Sequence, residues 1–260
     1  MTVSTHISAA LRACDLLGEL ADQHAWGVVT GDTRFPDVHD ANRALVVGDL
    51  TPSLTDVMTA LTSMRTRTGV SFEELEVVDV EAHASLHDEL TAEFGSGQRF
   101  VVMRAEHEPT LDDRYGLFSV HESPAPDEGF WLEVKRAALH GVAIPESVVR
   151  QIARRDLVTR FPYGRRLFVA RDGDAAVAAV ATLHAFGAAA LVDDVATLPQ
   201  QRRRGAATAA VRGLVEDARN RQRSAELFLF AAENGDAQRV YERLGFRVNA
   251  VSAQFHRESS

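Results

Sequence analysis

The chain has 260 residues, 45% hydrophobic and 25% charged, with one cysteine and a formal net charge of −9. That length suits one large domain or two small ones, and the composition is ordinary for a globular protein with a real core. Lone Cys14 excludes a disulfide scaffold and a Cys-rich zinc site, and the acidic balance argues against non-specific binding to nucleic acid or anionic membranes.

The N-terminus, Met1 to Arg12, has no basic stretch followed by an apolar one, so no signal peptide is expected. No run approaches the ~20 apolar residues of a membrane helix, and a soluble cytoplasmic protein is expected. Leu11 to Ala21 reads as a helix and Gly27 to Pro36 as a loop rich in Gly, Asp and Thr. Ala44 to Val47 is a short apolar strand, and Leu54 to Met64 has the three-and-four spacing of an amphipathic helix. Leu75 to Val80 is β-rich, Ala82 to Phe94 helical and Phe100 to Met103 a strand. Residues 41–105 thus read β-α-β-α-β.

Pro109, Asp112, Asp113, Gly116, Pro124, Pro126 and Gly129 then punctuate the chain, and Ser123 to Asp127 has linker composition. The predicted division is 1–125 and 126–260. In the second part, Trp131 to Val134 reads as a strand and Pro145 to Arg154 as a helix with proline near its start. Leu167 to Ala170 and Ala175 to Thr182 are strands joined through the turn Asp172-Gly173-Asp174, and Leu191 to Thr197 follows Phe186-Gly187 as another. Arg203 to Arg219 is a helix with inner face Ala207, Ala210, Val211, Leu214, Val215 and Ala218. Glu226 to Ala231 is a strand, Asp236 to Leu244 a helix closed by Gly245, and Phe246 to Phe255 a final strand. The fold class is α/β (α+β).

Chemistry concentrates between Val195 and Thr208. A strand ends at Pro199, a turn carries Arg202, Arg203 and Arg204, and Gly205-Ala206-Ala207 opens a helix. The first turn of a helix has backbone N–H groups without intrahelical partners, at the positive end of the macrodipole. Small residues let a bulky anion approach those groups, which is the physics of a phosphate cradle, and arginines add cationic complementarity. The spacing is neither a Walker A loop nor a dinucleotide Gly-x-Gly-x-x-Gly.

It resembles the Arg/Gln-x-x-Gly-x-Gly/Ala signature of the GNAT superfamily of N-acetyltransferases, here Arg202-x-x-Gly205-x-Ala207. A second block, Asn234 to Phe246, resembles that family's Asn-x-x-Ala…Tyr-x-x-Leu-Gly-Phe pattern. Ala237, Val240, Tyr241 and Leu244 also fall on one helical stripe, so Tyr241 can equally be read as a core aromatic. The resemblance covers Val195 to Phe246 directly and, by element order, about Gly129 to Phe255. It implies acetyl-CoA, or another acyl-CoA, as donor and an amine of a small molecule or peptide as acceptor, with no metal. The pyrophosphate would sit on the N–H groups of Arg203 to Thr208. The pantetheine arm would run antiparallel to the backbone of Val195, Ala196 and Thr197, with Asn234 bonding the arm or thioester end.

For the chemistry, Tyr241 is the candidate general acid toward the departing sulfur. A backbone N–H near Val195 to Thr197 would polarise the carbonyl. Asp193 and Asp194 are candidate bases; on a regular strand they point to opposite faces, and Asp194 is favoured. Glu233, His184 or a water chain are further options. His83 and His87, at i, i+4 beside Asp88, lack a third ligand and read as surface histidines, Gly95-Ser96-Gly97 as a turn, and Cys14 as buried. Lys135 is the only lysine among 28 basic residues, a bias read as codon usage.

Residues 41–105 follow the element order of the later part of a GNAT unit without its motifs. The resemblance therefore implies two tandem GNAT-like domains, each a mixed, mostly antiparallel sheet flanked by helices, the first degenerate. An unrelated accessory α/β domain is the alternative for that half. For the whole chain, the alternative to an enzyme is an acyl-CoA-binding sensor or interaction protein without turnover. Acetyl-CoA and an amine are the expected partners, nucleic acid and membrane are not, and a homodimer is left open.

Overall fold

A computed structural model of the chain describes residues 3–70, 74–106, 118–173, 176–221 and 225–256. Pro109, Asp112, Asp113 and Gly116 of the punctuated region, and Asp174 and Ala175 at the expected turn, lie outside the described residues. In chain order the first elements are α1 (Thr5–Asp15), β1 (Leu20–His24), β2 (Gly27–Gly31), β3 (Arg43–Val46), α2 (Leu54–Thr68), β4 (Glu74–Val78), α3 (Ala84–Phe94) and β5 (Gln98–Ala105). They are followed by β6 (Phe118–Ser123), α4 (Glu128–Ala138), α5 (Glu146–Arg155), β7 (Arg165–Asp172), β8 (Ala176–Phe186), β9 (Ala189–Thr197), α6 (Ala206–Arg221), β10 (Glu226–Ala232), α7 (Asp236–Arg243) and β11 (Phe246–His256). No helix among the described residues is long and apolar enough to cross a membrane.

The chain forms two compact units. The first comprises Met1–Met103, Phe230–Gln238 and Val248–Ser260; the second comprises Arg104–Leu229 and Arg239–Arg247. In the first unit, β1, β2 and β3 are successively antiparallel, β3 and β4 are parallel, and β11 closes antiparallel on β4. α2 and α3 cover this sheet with Val57, Met64, Leu86 and Leu90, packed against Val29, Val46, Val77 and Phe255. Each such buried aliphatic contributes about 1.5–3 kcal/mol relative to exposure. α2 starts at Ser53 in a capping box with Asp56 and ends at Gly69, whose φ of +69° is the left-handed cap.

Two segments of this unit differ from the sequence reading. The first helix begins earlier, because Ser4 caps it by accepting from the Ile7 amide at 3.2 Å, and Leu20 and Ala21 belong to β1 instead. The expected loop Gly27 to Pro36 begins as β2, wholly buried. A Cβ at Gly27 would lie 1.9 Å from the Leu45 carbonyl oxygen, so the glycine that suggested a loop is there for strand contact.

The second unit repeats the plan. β6, β7, β8 and β9 are antiparallel in turn, and β9 pairs with β10 in parallel. In both units the strand pairing is therefore mixed and mostly antiparallel, flanked by helices. Trp131 to Val134, read as a strand, is the middle of α4. Asp127 caps that helix by accepting from the Phe130 amide at 2.8 Å, and Trp131, Val134 and Lys135 share its buried face. Four residues of which only Glu133 is polar are too few to distinguish strand from helix by periodicity. Trp131 stands edge-on to Phe161 at 5.0 Å in a core with Val149, Leu167 and Val180. On α6 the buried stripe is Ala206, Ala209, Ala210, Val211, Leu214, Val215 and Ala218, with Ala207 only half-buried.

Candidate functional site

The strand-to-helix connection from β9 to α6 is where the sequence motif places an anion. Its ladder with β8 runs Ala179↔Thr197 and Val180↔Ala196, then shifts to Thr182↔Asp193. Asp194 and Val195 therefore oppose the single residue Ala181, a β-bulge, and Asp194 has φ +47°. On its other edge, β9 is in register with β10 only from Ala189 to Leu191 among the described residues. Val195, Ala196 and Thr197 thus lie beyond the parallel ladder, where β9 offers backbone groups to an added extended ligand.

After Thr197 the Leu198 amide still donates to Ala178 O at 3.0 Å, and a short 3-10 helix covers Pro199–Gln201. Arg203 and Gly205 then take left-handed backbone conformations, φ +63° and +88°. The next amide with a backbone acceptor after that of Arg202 is Ala209's, which donates to Gly205 O at 3.0 Å. Among the described residues, the amides of Arg203, Arg204, Gly205, Ala206, Ala207 and Thr208 have no acceptor in the protein. They stand at the positive end of the 16-residue α6. All three arginines are exposed. Arg202 donates to Ala137 O at 3.2 Å, and Arg204 to Asp172 at 2.6 Å and to Gln201. A groove of about 760 Å³ flanks the turn, lined by Phe130, Val134, Ala137, Val177, Leu198 and Pro199.

Behind the bulge lies a buried charge cluster that the sequence reading missed. Lys135 on α4 pairs with Asp156 at 2.5 Å and with Asp194. Arg165 on β7 binds Asp194, Asp193 at 2.6 Å and Asp156 at 3.3 Å, and Arg160 reaches Asp193 at 3.3 Å. The expectation that Asp193 and Asp194 point to opposite faces is overturned: both meet Arg165, because the bulge rotates Asp194 out of strand alternation. Burial pushes the Asp194 carboxyl up against the pull of Lys135. Burial would also raise Asp193 and Asp156, but Arg165 and Arg160 hold the first below the ordinary carboxylate range, and Lys135 with both arginines holds the second well below it. The Asp194 side chain is 9% exposed and that of Asp193 36%, so Asp193 is the more accessible of the two. The one signal that could have found the cluster was Lys135 itself, a lone lysine in an arginine-rich chain.

Tyr241 sits on α7, buried, edge-on to Phe246 at 6.1 Å. Burial and then the Asp193 charge push its phenol well above the ordinary value, so the O–H stays intact and can donate. On the expected stripe Leu244 is also buried, but Val240 is half-buried and Ala237 exposed. Asn234 lies exposed in the turn before α7 at φ +61°, its amide donating to Gln238 Oε1 at 2.7 Å. Glu233 is paired with Arg99 at 2.7 Å. His184 is buried beside Phe186, with Nε2 3.0 Å from Tyr163 O; burial lowers its pKa to about 4. Cys14 is buried as expected. His83, read as a surface residue, is instead 2% exposed with Nδ1 3.0 Å from the Thr51 hydroxyl, and half-buried His87 stands edge-on to Phe255.

A model of the acetyltransferase (GNAT) family matches residues 131–246. No curated protein matches the chain by sequence. Among solved structures, a GCN5-related N-acetyltransferase from Kribbella flavida is similar with a TM-score of 0.69 at 16% identity, over 100% of this chain and 97% of that one. Another, from Sphaerobacter thermophilus, has a TM-score of 0.58 at 14% identity, over 97% and 90%. A tandem GNAT protein from the clavulanic acid biosynthesis pathway has a TM-score of 0.54 at 16% identity, over 84% and 76%. At these identities the likeness is one of fold, and it extends over both halves of the chain. The segment of residues 131–246 belongs to the acetyltransferase (GNAT) family, carried in a chain with the fold of a tandem GNAT protein.

Proposed function

We propose that the chain is a cytoplasmic N-acetyltransferase that moves the acetyl group of acetyl-CoA to a primary amine of a small molecule or peptide. The observation that carries this reading is the row of amides from Arg203 to Thr208, without protein acceptors among the described residues, at the start of α6. The pyrophosphate binds there, with Arg202, Arg203 and Arg204 around it. The pantetheine arm follows Val195, Ala196 and Thr197 beyond the β9–β10 ladder. The net charge of −9 suits a cationic acceptor.

In the reaction the neutral amine attacks the thioester carbon, a C–N bond forms and the C–S bond breaks. An amide N–H at the bulge polarises the carbonyl. Tyr241 donates its hydrogen bond to the departing thiolate, a role its raised pKa favours over full proton transfer. Asp193, more exposed than Asp194, takes the amine proton directly or through water. The alternative, an acyl-CoA-binding protein without turnover, has one observation in its favour: both carboxylates on β9 are already ion-paired.

Calorimetry with acetyl-CoA is the test. The wild type should bind it, and Gly205→Val should weaken binding more than about 100-fold, because a β-branched residue resists φ +88° and blocks the amides. Unchanged affinity in the variant overturns the pyrophosphate assignment. A panel of primary amines read by free-thiol release then separates the readings: release with any amine supports the enzyme, and binding without release selects the sensor.

A further inference from the structure

In the first unit, three residues far apart in sequence meet at one end of the sheet. His39 opens a short 3-10 helix (His39–Ala41) after β2, Glu74 is the first residue of β4 and His256 the last of β11. The pairing enforces the meeting: Glu74 is in register with Arg43 on β3 and with His256 on β11. The two oxygens of Glu74 are divided between these neighbours. Oε1 faces the Arg43 guanidinium at 3.8 Å, while Oε2 lies 3.4 Å from His39 Nδ1 and 3.8 Å from His256 Nδ1. One ligand atom from each of the three residues falls within 4.8 Å of the others.

We propose that His39, Glu74 and His256 form a zinc site with a solvent-facing fourth position. Two imidazoles and one carboxylate make a donor set suited to zinc, whereas magnesium and calcium take all-oxygen sets. A tetrahedral zinc with bonds of about 2.0–2.1 Å holds its ligand atoms roughly 3.3–3.4 Å apart. The two separations from Glu74 Oε2 are already close to that, and the two histidine ligand atoms, which lie within 4.8 Å of each other, close by rotation of the exposed rings. The side chains of His39 and His256 are 55% and 38% exposed, which leaves an entry path, while that of Glu74 is 6% exposed and fixed.

Arg43 supplies the support that metal ligands require from their neighbours. It is itself anchored by Asp15 at 2.9 Å and Glu76 at 2.6 Å, so it orients Glu74 without neutralising the cluster. Formally, Asp15, Glu74 and Glu76 against Arg43 leave two negative charges for a divalent ion to balance. A bound ion would clasp β11 to β4 and to the turn after β2, all within this unit.

The test uses the full chain, free of any affinity tag and stripped with a chelator. Zinc is followed by calorimetry and cobalt by its visible absorption. One site per chain is expected, with an intense cobalt band, and affinity should fall at least tenfold in each of His39→Ala and His256→Ala. Both are exposed positions whose folding is checked by circular dichroism. Glu74→Gln should lose binding as well, and His87→Ala, at a histidine outside the cluster, should bind like the wild type. Zinc should raise the melting temperature of the wild type and leave that of His256→Ala unchanged. Absence of one-to-one binding, or equal affinity in wild type and both histidine variants, overturns the site.

Discussion

Each unit sends its chain from one strand through a helix to a parallel neighbour, and the two helices begin differently. From β3 the chain enters α2 through Ser53, whose hydroxyl accepts from the Asp56 amide at 3.2 Å while its own amide donates to the Asp56 carboxylate at 3.3 Å. From β9 it enters α6 through Arg203, Arg204 and Gly205, whose amides have no acceptor among the described residues. A helix start can use its orphan donors to stabilise itself or leave them for a ligand, and here each choice is made once. The Asp56 carboxylate also places a negative charge where an anion would have to sit, so α2 is closed to the kind of ligand proposed for α6.

The largest expected effects come from the buried cations, one network in each unit. Lys135→Met leaves Asp156 and Asp194 to share Arg165, and Arg43→Met leaves Asp15 and Glu76 without their arginine; each should cost about 3–5 kcal/mol in urea melts. A loss below about 1 kcal/mol in either would remove the parallel between the networks. Next is His184, whose pKa falls from the ordinary 6.5 to about 4 on folding. The unfolded chain takes up the proton first, so this contribution is complete above pH 6.5 and declines as pH falls toward 4, by on the order of 3 kcal/mol. His184→Phe should flatten that slope, and an unchanged slope refutes the assignment. His83 in the first unit is lowered in the same direction by burial, so His83→Phe should flatten the acid limb there.

Tyr241→Phe should reduce turnover about 100-fold with acetyl-CoA affinity within about threefold, measured by thiol release and calorimetry. Near-normal turnover would leave Tyr241 as only a core aromatic. The smallest effect is at the closed helix: Ser53→Ala should cost about 1 kcal/mol and leave acetyl-CoA affinity alone. An altered affinity there would mean that α2 shares in binding, and the contrast between the two helix starts would fail.

The alternation of strands and helices, the Arg202-x-x-Gly205 turn and the Tyr241 helix were legible because each is written in contiguous residues. What was hidden depends on partners distant in sequence. Gly27 reads as a loop residue until Leu45 is seen against it. Trp131 to Val134 is a short stretch, apolar but for Glu133, that only the Asp127 cap marks as helix. The bulge at Asp194 and Val195 has no glycine to announce it, so the joint orientation of Asp193 and Asp194 was out of reach. His39, Glu74 and His256 share no spacing at all; sheet register alone unites them.

The pairing of β11 with β4 also bears on how the molecule is made. Val251 O accepts from the Val80 amide at 2.9 Å, and Ser252 donates to Glu76, 176 positions before it, at 2.7 Å, so the β4 edge is satisfied by residues translated long afterwards. During synthesis the first unit must wait with that edge open until the last strand leaves the ribosome. An open edge is a template for pairing with other chains, and contacts of such long sequence separation form slowly. Nascent chains stalled before residue 248 should therefore be the forms most dependent on chaperones, and the ones most prone to aggregate.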